Sequence, residues 1–99
     1  MKNLEIPTNA IKAFCLKNNV RELALFGSVL GVDFRSDSDI DVLVRFRPTA
    51  YLTLADLAEM EAELGVLFKR KVDLVEEESL KNPYRRRSIL NNKHTVYAA

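Results

Sequence analysis

The chain reads as an α+β fold, a small mixed β-sheet packed with helices. Short apolar runs of strand length alternate with amphipathic stretches of helix length. Turn residues punctuate them at close intervals, so no long structureless loop is needed. The composition, 47% hydrophobic and 29% charged, is that of a packed globular protein rather than a disordered one. At 99 residues the expectation is one domain spanning 1–99, with a modest core that a homo- or hetero-oligomer could supplement.

The elements follow in order. Thr8 can cap a first helix over about residues 9–18, with Ile11, Phe14 and Cys15 on one face. Asn18-Asn19 is a suitable stop, because Asn tolerates the left-handed conformation that ends many helices. Val20 to Phe26 is a short apolar strand, closed by Gly27-Ser28 and followed by a helical turn through Gly31. Residues 33–38 are polar and loop-like.

Asp39 to Phe46 alternates: Ile40, Val42, Val44 and Phe46 point one way, Asp39, Asp41, Leu43 and Arg45 the other. Pro48 closes that strand. Thr53 with Asp56 three residues on is a capping arrangement for a helix over about 54–64. Leu54, Leu57, Ala58 and Leu64 are its expected buried face and Gly65 its stop. Val72 to Val75 is a third strand, and a basic helix containing Pro83 ends the pattern. The predicted order is α-β-α-β-α-β-α.

Charge and cysteine usage narrow the function. A formal charge of +1 offers no broad track for nucleic acid or anionic membrane, which argues against direct nucleic-acid binding. The single cysteine, Cys15, cannot form an internal disulfide, and no apolar run reaches the ~18–20 residues of a membrane span. A cytoplasmic protein is expected.

The chemistry sits in one stretch, residues 25–44. Aspartate is a poor strand former and costly to bury, so two in one strand demand a reason. Asp39 and Asp41, spaced by two, project from the same face with Cα atoms roughly 6.6–6.8 Å apart. Such a pair can share Mg²⁺, a hard ion that prefers carboxylate and phosphate oxygens. Gly27 at a strand-to-turn junction lets backbone approach a ligand closely, and the following N–H groups with the Ser28 hydroxyl can meet a phosphate. A phosphate cradle beside metal-binding carboxylates suits phosphoryl or nucleotidyl transfer. Asp73, in the apolar run Val72-Asp73-Leu74-Val75, is a third acid that could bind the metal and accept the proton of an attacking hydroxyl.

The spacing Gly27-Ser28, ten residues, Asp39-x-Asp41 resembles the signature of the polymerase-β-type nucleotidyltransferases. Over roughly residues 8–90 the chain is similar to their minimal branch, the MNT antitoxins (MntA-type) of HEPN–MNT toxin–antitoxin pairs. The run Asp33-Phe-Arg-Ser-Asp-Ser-Asp-Ile-Asp41 and the late Val-Asp-Leu-Val strand with its Arg-rich sequel carry this closer likeness.

The resemblance implies a polymerase-β-like core with Gly27 and Ser28 on the triphosphate and Asp39 and Asp41 on two Mg²⁺ ions. Asp73 matches the third catalytic acid and metal ligand. It further implies transfer of AMP from ATP onto a tyrosine hydroxyl of a HEPN-family ribonuclease toxin. Many relatives carry Ala-Arg-Gly where this chain has Leu30-Gly31-Val32; Arg35 is the residue expected to reach back to the nucleotide instead. That departure keeps a second reading open, a non-catalytic antitoxin that neutralises its toxin by direct binding.

Other features have plainer readings. Arg85-Arg86-Arg87 is a basic helical run that is either solvated or in contact with nucleotide, RNA or partner. Asp33 and Asp37 read as loop residues, Lys69-Arg70-Lys71 as a solvated loop, and His94 as exposed without metal-ligand companions. Cys15, on an apolar helix face, reads as core.

Overall fold

The computed structural model describes residues 4–31 and 39–99, with Ser28 described by its backbone alone. Along the chain run α1 (Thr8–Lys17), β1 (Val20–Phe26), a 3-10 turn (Gly27–Leu30), β2 (Ile40–Phe46) and α2 (Leu54–Phe68). Then come β3 (Val72–Glu76), a second 3-10 turn (Glu77–Ser79), α3 (Pro83–Asn92) and β4 (His94–Ala98). The sheet order is β3-β2-β1-β4. β1 pairs antiparallel with β2 and β4, whereas β2 and β3 are parallel, joined through α2. The sheet is therefore mixed, as the sequence predicts.

Period-two alternation gives the sheet two apolar faces. On one, Leu23, Leu25, Ile40, Val42, Val44 and Val72 pack with Ile11, Phe14 and Cys15 of α1 and Met60, Leu64 and Phe68 of α2. On the other, Ala24, Phe26 and Leu43 pack with Leu80 and with Ile89 of α3. Helices thus cover both faces. Cys15 is fully buried and its thiol is pushed up to about 12 by that burial, so it behaves as core. Among the described residues, no helix is long and apolar enough to cross a membrane.

Four expectations are corrected. Thr8 does not cap α1: Pro7 holds the cap position with no side-chain cap bond, and the Thr8 hydroxyl donates to the Ile6 carbonyl at 3.4 Å. Thr8 already lies in the first turn, where its hydroxyl finds a neighbouring carbonyl instead. The α2 capping box is present, with Asp56 N–H donating to Thr53 Oγ1 and Thr53 N–H to Asp56 Oδ2. Its buried face differs, however: Leu54 is 85% exposed and Ala58 is exposed, while Met60, Leu64 and Phe68 face the core at intervals of four.

Nor does Gly65 stop α2, which continues to Phe68 because Phe68 extends the apolar stripe. The helix closes instead with Arg70 N–H on the Gly65 carbonyl (3.0 Å) and Lys69 N–H on that of Val66 (3.2 Å), with Lys69 at φ 57°. This is the Schellman pattern, with lysine where glycine is usual. A Cβ on Gly65 would stand 3.1 Å from the Arg70 carbonyl oxygen, so Gly65 permits the stop from inside the helix. Lys69→Gly is expected to stabilise the fold by under about 1 kcal/mol, the left-handed penalty less glycine's extra chain entropy. Urea melts would check it; an unchanged or lower midpoint would refute the strain.

The fourth correction is β4. Pro83 begins α3 at its first turn, with the Asn82 side chain accepting from the N–H groups of Tyr84 and Arg85. The chain then leaves the helix at Lys93 and returns along β1 as an edge strand. Lys93 ion-pairs with Glu22 of β1, which also accepts from Thr95 Oγ1 at 3.2 Å and lies 3.4 Å from Arg45. Burial raises the Glu22 carboxyl, but Lys93, Thr95 and Arg45 together outweigh it and leave the pKa lowered.

Candidate active site

Three acids come to the sheet from β2 and β3. Asp39 immediately precedes β2, Asp41 is its second residue, and Asp73 is the second residue of β3. Asp41 and Asp73 are direct partners in the parallel register, about 4.8 Å apart across the sheet with side chains on one side. Leu43, two residues beyond Asp41, is buried beneath α3, so the acids share the α3 face. Across the other edge of β2, Asp41 pairs with Phe26, and the chain then turns at Gly27.

The Gly27 turn abuts Asp41. Gly27 has φ 76°, and a Cβ built there would lie 2.3 Å from Asp41 Oδ2. That conformation favours glycine, and any side chain there would have to displace the Asp41 carboxylate. Alongside, a hollow of about 370 Å³ is lined by Phe26, Gly27, Leu30 and Gly31 and by Ser88 and Asn92 of α3. A second hollow of about 400 Å³ lies at the opposite end of the sheet, beside Arg21, Arg45 and Arg47, away from the acids.

Electrostatics mark Asp41 as the strained member. Burial raises its pKa, and the charges of Asp73 and then Asp39 raise it further, while Arg85 opposes them. Lys71 stands 3.9 Å from Asp39, but with side-chain exposures of 74% and 44% this pair contributes little. Among the described residues no three acidic, histidine or cysteine side chains close into a ready ion cage. Mg²⁺ does not require one: it binds through one or two carboxylates and completes its shell with water and substrate phosphates. An all-carboxylate donor set beside a tight glycine turn fits that mode.

The sequence-predicted residues therefore divide. Gly27, Asp39, Asp41 and Asp73 fall in one region. The Ser28 side chain and Arg35, with Asp33 and Asp37, lie outside the described residues. Of the Arg-rich run, Arg86 is tied down, its guanidinium donating to the Glu77 carbonyl (2.9 Å) and pairing with its carboxylate (3.3 Å). Arg85 instead bears on Asp41. The readable signal for this was its position four residues before Ile89, one helical turn along the same face.

Comparison with known proteins agrees with this geometry. Residues 8–96 match the family model described as the nucleotidyltransferase domain. The chain belongs to that family. It is 36% identical over 73 residues to the Methanocaldococcus jannaschii protein MJ1379, covering 74% of this chain and 73% of the relative, whose name assigns it provisionally to the protein adenylyltransferases.

Among solved structures, a toxin–antitoxin crystal structure with AMP-PNP aligns at TM-score 0.74 and 21% identity, covering 94% of this chain and 74% of that one. The complex of a tri-AMPylated HEPN toxin with its MNT antitoxin from Shewanella oneidensis aligns at TM-score 0.65 and 20% identity, covering 93% and 70%. The resemblance read from the sequence, to polymerase-β-type nucleotidyltransferases, accords with the family match, and the two structures share the fold. The protein is a nucleotidyltransferase in a family with protein adenylyltransferases.

Proposed function

We propose that this nucleotidyltransferase is an antitoxin that transfers AMP from ATP to a tyrosine hydroxyl of a HEPN-family toxin in the cytoplasm, using Mg²⁺. The observation that carries the reading is the in-register pairing of Asp41 with Asp73, with the bare Cα of Gly27 seated against the Asp41 carboxylate. Asp39 and Asp41 would hold two Mg²⁺ ions, which supply charge neutralisation at the reacting phosphate. Gly27 and Ser28 would present their turn to the triphosphate, with Arg35 assisting.

In the reaction, the acceptor oxygen forms a bond to the α-phosphorus in line with the bond to the β-phosphate oxygen, which breaks. Pyrophosphate leaves with that electron pair, and Asp73 takes the hydroxyl proton. Among the described residues, Asp73 is exposed and Asp39 and Asp41 are half-buried, so the acids lie within reach of a large acceptor. A protein surface that completes the site is therefore the better substrate, and a hetero-oligomer is its working form.

Incubation with α-labelled ATP, Mg²⁺ and the partner toxin is expected to label the toxin. Asp39→Ala combined with Asp41→Ala should remove the label, and transfer that survives the double substitution would sink the mechanism. Full neutralisation of the toxin by that variant without nucleotide would favour the binding-only antitoxin, which the Leu30-Gly31 departure keeps in play.

A further inference from the structure

We propose that Arg85 is the phosphate-binding cation of this site, contacting the polyphosphate of the nucleotide opposite the Gly27 turn. The inference rests on the nucleotidyl-transfer reading and adds a residue to it. Its first support is the setting of α3. Ile89 is locked into the cluster with Phe26 and Leu43, and Arg86 is anchored to Glu77, which fixes the rotation of the helix. With that rotation set, Arg85 shares the Ile89 face one turn earlier, on the side of the sheet that carries Asp41 and Asp73. Ser88 and Asn92, further along α3, line the hollow beside Gly27 and Gly31, so the helix stands over the turn.

The second support is charge. Asp39, Asp41 and Asp73 face a ligand that is itself strongly anionic, so metal alone must not carry all the neutralisation. The 3-10 turn at Gly27–Leu30 brings no basic residue of its own. Lys71 stands 3.9 Å from Asp39, on a largely exposed side chain. Arg85 is exposed, and among the described residues its guanidinium has no hydrogen-bond or ion-pair partner. A guanidinium left free beside an acidic site is a fork matched to phosphate oxygens.

The experiment compares ATP, pyrophosphate and AMP, each with Mg²⁺, as ligands of the wild type and of Arg85→Ala, Arg85→Met and Arg85→Lys. Arg87→Ala, on an exposed position of the same helix, serves as the control. Removing Arg85 is expected to weaken ATP and pyrophosphate about tenfold or more, the range for a hydrogen bond to a charged group, and to leave AMP within about twofold. Lysine should restore part of the loss, and Arg87→Ala should change none of the three. Methionine keeps the apolar stem, so agreement between the Ala and Met variants separates charge from helix packing.

The assignment is overturned if ATP and pyrophosphate bind the Arg85 variants as they bind the wild type. It is equally overturned if AMP weakens in proportion, because that loss would have passed through the metal ligands. Failure of the wild type to transfer nucleotide would instead strike at the proposed function, which these binding measurements do not use.

Discussion

Asp41→Asn should abolish nucleotide transfer while leaving the protein as stable as before, or more so. The two effects have one cause. Asp41 is partly buried, in register with Asp73 and close to Asp39, so burial and two like charges act against its ionised form. The native carboxyl therefore holds its proton more tightly than the unfolded one. The native state then binds more protons than the unfolded state, and stability falls as pH rises from the ordinary aspartate range through the raised value. Below that window both states are protonated, and variant and wild type should converge. Above it the wild type carries the whole penalty and the asparagine variant carries none.

Thermal melts in chelator from acid to neutral pH would read this difference; a variant that is less stable at neutral pH would contradict it. Mg²⁺ with nucleotide should reverse the order. Ligand that binds only the native state raises its apparent stability by mass action, and the cations offset the repulsion that strains Asp41. The wild type should gain melting temperature and the variant little. Loss of one negative ligand forfeits several kcal/mol of charge stabilisation at the reacting phosphate, or about 10³-fold in rate at about 1.4 kcal/mol per decade.

What the sequence made legible follows physical range. Local signals read well: the alternation in β2, the capping box at Thr53 and Asp56, and the glycine turn after β1 each depend on residues a few positions apart. β4 was missed because its reason is distant. Its five residues carry little pattern of their own, and what orders them is pairing with β1 some seventy residues earlier, tied by Lys93 to Glu22.

The extent of α2 was misjudged for a different cause. Gly65 looks like a stop on its own, and only the contact of Arg70 with its carbonyl shows that the reversal comes three residues later. For the candidate site, the spacing of Asp39 and Asp41 was local and readable, whereas the partnership of Asp41 with Asp73 needed the parallel register. Arg85 was hidden inside a run of three arginines that sequence alone treats as equivalent. Packing distinguishes them, tying Arg86 to Glu77 and leaving the Arg85 guanidinium exposed on the Ile89 side of the helix.

Gly27→Ala should cost the protein both stability and activity, and its two causes can be separated. The first is backbone: φ 76° is a conformation that disfavours any Cβ, at roughly 1–2 kcal/mol. The second is contact, since the new methyl would lie 2.3 Å from Asp41 Oδ2 and 3.3 Å from its Cγ. Either the turn or the carboxylate must move, and moving the carboxylate displaces a proposed metal ligand from its place beside Asp73.

Asp41→Ala removes both of those atoms and leaves only the Asp41 Cβ, at an ordinary 3.5 Å. In a double-mutant cycle, Gly27→Ala should therefore cost less stability in the Asp41→Ala background than in the wild type, the remainder being the backbone strain alone. Equal costs in the two backgrounds, measured by denaturant melts, would mean that the glycine serves the turn and not its approach to the acid. A smaller cost in the second background would tie the conformation of the turn to the position of Asp41, which is the coupling that a shared nucleotide site requires.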